Sequence, residues 1–370
     1  MDRRTGRQMS VKKNGCEAKS GQDVIISTDF VEERLRNDFW REASRPFYET
    51  TPIPGSKSGR LEGAIRSREI AGFTLASVTF NSQRYNRDRR IIAWSGLDQF
   101  LVAVVKGGEI LGDAANNSLT ARSGDICILD LTQVLQSDVT AGGTLSTLIP
   151  RGILAKATGH ANLHGVVLQA HLPMTQLITA YLEGLNGLSE HLSNDEIVAV
   201  QESLVTILAA ALQGLRATGI EELRPLSIAL RQRVLDYVDR NLNNPELSLD
   251  LIIRRFNVSR AHLYRAFAED GGIAGVIRDR RLDAAFLEIT QTDMIPRSIA
   301  KIAFEHGFSS ASHFSRSFRE RFGLMPGEAR RERLSEPLVP ELRAHLLRFG
   351  SGVERACRMR PLGNKSETSG

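Results

Sequence analysis

The chain has little cysteine, no long apolar run and no histidine before His160. Its three cysteines, Cys16, Cys127 and Cys357, are too few and too far apart for a disulfide framework or a metal-ligand motif. No apolar stretch approaches the roughly 18–20 residues that a membrane helix needs. None follows the basic N-terminus as a secretory signal would. We therefore expect a cytoplasmic protein with no membrane partner.

The bulk composition is that of an ordinary soluble globular protein. The 370 residues are enough for two domains with tails, and 41% are hydrophobic and 25% charged. The formal net charge is +5 and the sequence pI is about 9.3. This mildly basic balance permits a phosphate-bearing partner without requiring one.

The first part of the chain is expected to be an N-terminal arm followed by a β-rich domain. Residues 1–22 are polar, basic and non-periodic, and we interpret them as a disordered arm. A short helix is expected over 30–42. Residues 61–154 then show short alternating or β-branched runs broken by Gly, Asn and Asp, which predicts an antiparallel sandwich or barrel. The clearest predicted strands are 73–80, 99–105, 125–129 and 144–148.

The rest of the chain is dominated by helical periodicity. Residues 173–217 predict two antiparallel helices that pack either on the β-domain or on a second copy of themselves. They complete a first domain at 23–217, and a linker is expected at 218–226. A second, all-α domain is expected at 227–331, followed by an extension and a disordered tail at 332–370. The fold class is α+β.

An internal repeat is the most informative feature of the second domain. The segment 259–267 matches 310–318 at an offset of 51 residues, and the match continues upstream at an offset of 50. Each copy indicates a helix, a tight turn and a second helix. Asn257 and Gly307 lie at the two turns, where the chain needs residues that tolerate the left-handed conformation.

Serines mark the start of these helices. Ser248 and Ser259 are placed to cap the two helices of the first copy, and Ser309 or Ser310 the second helix of the second copy. The second helix of each copy has an apolar face directed at the core, made by Leu263, Phe267, Ala311, Phe314, Phe318 and Phe322. The sequence therefore predicts two helix-turn-helix units.

The opposite face of each second helix forms an exposed stripe. Its members follow the i, i+3, i+4 spacing and are Ala261, Tyr264 and Arg265 in one copy and Ser312, Ser315 and Arg316 in the other. Small polar residues, an aromatic ring and an arginine on such a stripe fit the major groove of double-stranded DNA. The arginine can donate in a bidentate manner to guanine O6 and N7.

Charge supports DNA binding only modestly. Residues 231–331 hold 17 basic and 13 acidic residues, a surplus of four. Candidates for phosphate contacts, each of which is at least as readily an ordinary solvated charge, are Arg254, Arg255, Arg260, Arg319 and Arg321. His262 and His313 lie at the edge of the stripe, where packing and DNA contact are equally favoured. A solvated tail is favoured over a DNA-touching arm for residues 1–22.

The stretch 299–323, with Pro326 and Arg330 after it, resembles the second helix-turn-helix of the AraC/XylS family of bacterial regulators. The resemblance covers 227–331 and implies two DNA-binding units joined by a central helix at about 274–289. Residues 272–276 lack the proline usual before that helix, and Glu288 replaces a typical apolar residue. Carried over by position, the base-facing residues are Ala261, Tyr264, Arg265, Ser312, His313 and Arg316, and our DNA-binding set adds Arg260 and Ser315.

Residues 100–108 and 123–130 resemble, less specifically, the cupin-like sensor domains of the same family. Such domains bind a small effector or mediate dimerisation, which implies a homodimer and a small-molecule effector. RNA polymerase is expected as a further partner, because activation needs contacts with it. No cofactor, metal site or catalytic residue is expected, because the strands lack a histidine cluster. His160 and His164 are interpreted as ordinary polar residues and Cys127 as a core residue.

Three functions stay open at this point. The leading hypothesis is a sequence-specific DNA-binding transcription regulator, an activator controlled by a small molecule. The alternatives are a cupin-type enzyme fused to a DNA-binding domain and an architectural DNA-binding protein without an effector. The first and third differ in whether the interior of the β-domain holds a pocket or is filled by its own side chains.

Overall fold

The computed structural model describes residues 16–18, 24–54, 59–70, 73–115, 117–159, 161–187, 194–216, 225–242, 244, 246–268, 271–291 and 297–331. The extension and tail expected at 332–370 lie outside these residues. So do His160, most of the linker expected at 218–226 and most of the arm expected at 1–22.

The first part of the chain is built from antiparallel strands. They are Cys16–Ala18 (β1), Val24–Ser27 (β2), Glu49–Pro52 (β3), Gly63–Ile70 (β4), Phe73–Phe80 (β5), Gln83–Arg87 (β6), Gln99–Gly107 (β7), Glu109–Ala114 (β8), Asn117–Arg122 (β9), Ile126–Asp130 (β10), Leu135–Val139 (β11), Gly142–Pro150 (β12) and Val166–Leu168 (β13). The larger sheet has the order β1-β2-β4-β5-β12-β7-β10-β13. The smaller has the order β3-β6-β11-β8-β9.

The four clearest predicted strands are confirmed as β5, β7, β10 and β12, within two residues at each end. The interpretation of 1–22 as an entirely disordered arm is wrong at one point. Residues Cys16–Ala18 form an edge strand on β2, with Cys16 opposite Ile26. A polar segment gains a strand there because β2 offers unpaired backbone groups at the sheet edge.

Helices cover the outer face of the larger sheet. They are Arg151–Ala157 (α3), Pro173–Gly187 (α4) and Asn194–Arg216 (α5). Strand β7 is buried on both faces, so Phe100, Val102 and Val104 pack with Ile178 and Leu208 of these helices. Of the two arrangements left open for the helices at 173–217, the structure has the one in which they pack on the β-domain.

Two further helices lie among the strands. The helix expected over 30–42 begins later, as Arg36–Ser44 (α1), after two short 3-10 turns. A second helix, Arg89–Ser95 (α2), was not predicted. Its signals were present in the sequence, because the Asp88 carboxylate caps it by accepting from Ile91 N and Gly96 ends it with φ of 62°.

A cavity of about 120 Å³ lies between the two sheets. Its walls come from strands of both sheets and from the segment that joins α1 to β3. The lining is mainly apolar and includes Leu101, Ala103, Ile110, Leu129 and Leu135. The β-domain is therefore not filled by its own side chains.

The second part of the chain is helical throughout its described residues. Its helices are Pro225–Arg240 (α6), Leu249–Phe256 (α7), Arg260–Ala266 (α8), Ile273–Gln291 (α9), Ile299–Glu305 (α10), Ala311–Phe322 (α11) and Pro326–Arg331 (α12). The α+β class is therefore confirmed. Within the described residues, every helix is too short or too polar to cross a lipid bilayer.

Helix α2 of the β-domain packs on the helical domain. Its Ala93 and Trp94 are buried in one apolar cluster with Leu282, Phe286 and Phe318 of α9 and α11. The Arg45 guanidinium lies 4.9 Å from the centre of the Trp94 ring, on its β-domain side. The unpredicted helix thus joins the apolar core of the helical domain to the β-domain.

Candidate nucleic-acid interface

The first helix-turn-helix unit consists of α7 and α8. Ser248 caps α7 by accepting from Leu251 N at 3.3 Å, and Ser259 caps α8 by accepting from His262 N at 3.2 Å. Asn257 ends α7 in the left-handed region, with φ of 50° and ψ of 51°. The predicted caps and turn are therefore confirmed. Leu263 and Phe267 are fully buried, which fixes the face that α8 turns to the core.

The second unit consists of α10 and α11 and repeats this arrangement. Ser298 caps α10 by accepting from Lys301 N, and Ser310 rather than Ser309 caps α11 by accepting from His313 N at 3.1 Å. Gly307 takes the turn with φ of 75°. The aromatic residues predicted for the core, Phe314, Phe318 and Phe322, are buried, whereas Ala311 is half-buried.

The predicted stripes lie on the surface of α8 and α11 almost as expected. The exposed members are Arg260, Ala261, Tyr264, Arg265, Ser312, His313 and Arg316, and Ser315 is half-buried. Tyr264 stands out with 65% of its surface exposed. His262 is half-buried, whereas the His313 ring is exposed and lies 6.0 Å from that of Phe308.

The arginines of this surface differ in how far they are engaged. Arg260 donates to Asp250 of α7 at 3.1 Å, in an ion pair of which both members are exposed. Within the described part of the chain no hydrogen bond or ion pair engages the guanidinium of Arg265 or Arg316. These two cations are available to an external acceptor without breaking an internal contact.

Arg281 of α9 forms hydrogen bonds to residues beside the first helix-turn-helix unit and in the second. The sequence did not indicate this role. Its guanidinium donates to the carbonyl oxygens of Leu242 and Asn244 beside the first unit and of Gly307 in the turn of the second. A Cβ on Gly307 would lie 2.6 Å from Arg281 Cζ and would displace this guanidinium, and the φ of 75° independently favours glycine there. Burial lowers the pKa of Arg281.

Arg321 was among the candidates for phosphate contacts, and the structure gives it another role. Its guanidinium donates to both Asp283 carboxylate oxygens, at 2.7 and 2.8 Å, and to Asp279 at 2.6 Å. Its side chain is only 12% exposed, so the arginine joins α11 to the central helix α9. Its positive charge made it a candidate for phosphate contact, but the sequence did not reveal two carboxylates on the neighbouring helix.

Glu288, which replaces a typical apolar residue in the central helix, anchors an ion cluster beside the second turn. It pairs with Arg297 and accepts from His306 Nε2 at 2.9 Å, and Arg297 also pairs with Glu305. The departure from the usual pattern is therefore compensated by two cationic or hydrogen-bonding partners.

His164 of the β-domain has a structural role. It is 3% exposed, its Nδ1 accepts from Asp130 N at 3.0 Å, and its Nε2 lies 2.9 Å from the Val134 carbonyl oxygen. Burial lowers its pKa, which favours the neutral ring. Across the described residues, no three His, Cys, Asp or Glu side chains are grouped as metal ligands.

Comparisons with known proteins bear on the same region. Residues 252–332, from α7 to the end of α12, match the family described as "Helix-turn-helix domain". The chain is 27% identical over 273 residues to the transcriptional activator NphR of a Rhodococcus species, covering 72% of this chain and 79% of that protein. It is 24% identical over 289 residues to a XylDLEGF operon transcriptional activator of Pseudomonas putida. That alignment covers 75% of this chain and 87% of that protein.

Solved structures with similarity to the chain include the AraC-like transcriptional activator CuxR, with a TM-score of 0.49 at 18% identity over 72% of this chain and 96% of that one. Another is ToxT of Vibrio cholerae, with a TM-score of 0.41 at 13% identity. The match covers 71% of this chain and 98% of that one. The sequence relatives, the matched helix-turn-helix segment and the capped repeat at 248–331 agree with one another. The chain is similar to AraC/XylS-type transcription regulators, and it carries a DNA-binding helix-turn-helix domain at 252–332.

Proposed function

We propose that this regulator is an effector-responsive activator, acting in the cytoplasm on genomic DNA, with no enzymatic activity of its own. Activation is supported by the names of the two curated relatives. This chain aligns with most of the length of each of them. Activation also requires contact with RNA polymerase. A homodimer is proposed because residues 100–108 and 123–130 resemble cupin-like sensor domains, which bind an effector or mediate dimerisation.

The base-reading residues proposed for this chain are those of the exposed stripes. Within the described residues, the guanidinium groups of Arg265 and Arg316 have no internal partner. Ser312 and His313 lie at the exposed N-terminal end of α11. The N-terminal residues of a recognition helix are the ones that reach base edges in the major groove. Arg260, Ala261, Tyr264 and Ser315 complete the proposed set.

Effector control is supported by the cavity and by a hydrogen-bonded route from its wall to α2. The cavity-lining residue Phe47 accepts from Arg87 Nη1 at 2.7 Å through its carbonyl oxygen. Arg87 Nη2 donates to Ser95 Oγ, at the end of α2, at 3.1 Å. Helix α2 in turn packs on α9 and α11 through Trp94. A molecule that moves the cavity wall therefore has a continuous path to the second unit.

The observation that carries this proposal is that exposed arginines on the recognition helices and a cavity-bearing domain occur in one chain. An effector-free architectural protein has no need for the cavity. A cupin-type enzyme needs a constellation of catalytic or metal-binding groups, and the cavity lining within the described residues is apolar and hydroxylic.

Transcription in vitro tests the proposal. A promoter fragment selected by the purified chain is transcribed with RNA polymerase, with the wild type and with Arg316→Ala. The wild type is expected to raise transcript yield. The variant is expected to bind the fragment roughly 10- to 100-fold more weakly, or about 1–3 kcal/mol, because it loses a bidentate base contact.

Arg319→Ala is the matched control, since Arg319 is an exposed arginine three residues further along α11. It is expected to weaken binding to all sequences similarly. The slope of log affinity against log salt concentration is expected to fall by about one, because one phosphate contact is lost. An Arg316→Ala protein with unchanged discrimination between sequences shows that Arg316 does not read bases. A wild type that lowers transcript yield contradicts activation.

A further inference from the structure

The cavity between the sheets has the size of one small ring. Its volume is about 120 Å³, and an apolar cavity of about 150 Å³ is known to hold a benzene molecule. The lining comes from both sheets and from the α1–β3 segment, so a molecule inside would contact all three.

Aromatic side chains form one side of this cavity. Tyr48 and Tyr85 are stacked, with ring centres 4.6 Å apart and an angle of 14° between the planes. Phe80 meets Tyr85 edge-on at 6.1 Å, and Phe47 and Trp40 also line the space. Flat rings arranged in this way favour a planar ring as their next neighbour, either stacked or edge-on.

Two hydroxyl groups in the walls have no partner. Thr74 is 2% exposed and Ser137 is 4% exposed, and within the described residues neither hydroxyl oxygen has a hydrogen bond. They come from β5 of the larger sheet and β11 of the smaller one. The lining hydroxyl of Ser44, in contrast, is engaged with Trp40 O and Thr50 Oγ1. A buried hydroxyl without a partner costs free energy, which a hydrogen-bonding ligand would recover.

The surroundings disfavour an anionic ligand. Among the described residues, no Lys, Arg, His, Asp or Glu lines the cavity. Arg87 lies close by, but all its N–H groups are directed at Leu131 O, Pro46 O, Phe47 O and Ser95 Oγ. Burial raises the pKa of Cys127 to about 12 and raises those of Tyr48 and Tyr85, so negative charge is costly throughout this space.

A cationic ligand is disfavoured as well. The buried Arg87 guanidinium carries a positive charge next to Tyr48, and its position would repel a second cation in the cavity. An aromatic lining alone would suit an ammonium group. The absence of a lining carboxylate in the described part of the chain removes the counter-charge that such a group needs.

We propose that the cavity takes an uncharged molecule of about one aromatic ring that carries a hydroxyl or another neutral hydrogen-bonding group. The ring contacts the Tyr48–Tyr85 side, and the polar group reaches Thr74 or Ser137. This inference rests on the proposed effector-responsive function, for which it names the chemical class of the effector.

Three probes that share one ring and one substituent carbon test the inference. Benzyl alcohol, toluene and benzoate are titrated separately into the full-length protein at pH 7, and binding is followed by ligand-observed NMR. Benzyl alcohol is expected to bind, with toluene roughly two- to tenfold weaker because it lacks the hydrogen bond. Benzoate is expected to be roughly tenfold or more weaker than benzyl alcohol, because its charge is buried without a partner.

Variants locate the binding. Thr74→Val and Ser137→Ala remove the free hydroxyls, and at least one is expected to bring the affinity for benzyl alcohol down to that for toluene. Ser44→Ala, whose hydroxyl is already engaged, is expected to leave the ratio of the two affinities unchanged. Ala103→Leu fills the cavity and is expected to abolish binding of both, with a thermal melt showing that each variant is folded.

The outcomes separate this inference from the function on which it rests. Benzoate binding as tightly as benzyl alcohol, or no binding of benzyl alcohol, overturns the ligand class and leaves DNA recognition intact. Benzyl alcohol binding with the expected profile supports the ligand class. If the in-vitro transcript yield is then the same with and without it, the ligand class stands and effector control fails.

Discussion

Replacing Arg321 by methionine is expected to destabilise the second helix-turn-helix unit by about 3 kcal/mol. The substitution leaves Asp283 and Asp279 facing each other without the guanidinium that bonds both of them. The figure is the lower end of the range for breaking a buried pair, because the carboxylates are 24% and 32% exposed. Urea unfolding followed by circular dichroism measures the change.

The pH dependence of the stability of the Arg321→Met protein shows whether the unpaired Asp283 carboxylate causes the loss. Burial raises the pKa of Asp283, and in the wild type Arg321 acts in the opposite direction. Without Arg321 the pKa in the folded state rises further above the unfolded value, so the folded state binds more protons as the pH falls. The loss of stability in the variant is therefore expected to be largest near neutral pH and to shrink in acid.

Arg319→Met provides the comparison, because Arg319 is an exposed arginine of the same helix. Its stability is expected to stay within about 0.5 kcal/mol of the wild type. Equal stabilities for the two variants would mean that the ion pairs of Arg321 with Asp279 and Asp283 do not hold α11 on α9.

Replacing Trp94 by alanine is expected to uncouple the two domains. The indole is 4% exposed and lies in a cluster with Leu282, Phe286 and Phe318 of the helical domain. Removing a large buried side chain costs about 3–5 kcal/mol. Because the contact lies between domains, the loss should lower the unfolding temperature of the helical domain while the β-domain unfolds separately. Differential scanning calorimetry resolves the two transitions.

Trp94→Phe is the matched variant, since it keeps an aromatic ring at the contact and should retain most of the coupling. Phe304→Ala serves as a surface control, because Phe304 is 56% exposed on α10. An unfolding profile of Trp94→Ala that matches the wild type would show that α2 does not couple the domains. The route from the cavity to the second unit would then be lost as well.

The helical domain was largely predictable because its signals are local. Serine caps, a left-handed Asn or Gly at the turn and apolar residues four apart are properties of ten or so neighbouring residues. All of these were found at Ser248, Asn257, Ser259, Gly307 and Ser310. The four clearest predicted strands of the β-domain were found for the same reason, since alternation over five to nine residues is local.

The contacts that connect the elements were not predictable, because they join residues far apart in the sequence. Arg281 reaches carbonyl groups 37 and 26 residues away, and Arg321 reaches Asp283 at a separation of 38 residues. Spacing within one helix carries no information about such partners. Helix α2 was a different case, since its cap signals were local but lay inside a region already assigned to strands.

Selection of genomic fragments by the purified protein, followed by sequencing of the bound DNA, tests the central claim most directly. Two recognition helices in successive major grooves of one DNA face are about 34 Å apart, which is one helical turn. We therefore expect a shared motif with two short half-elements about ten base pairs apart, read by α11 and α8. Salt-sensitive binding without any shared motif would contradict it and would point to an architectural protein.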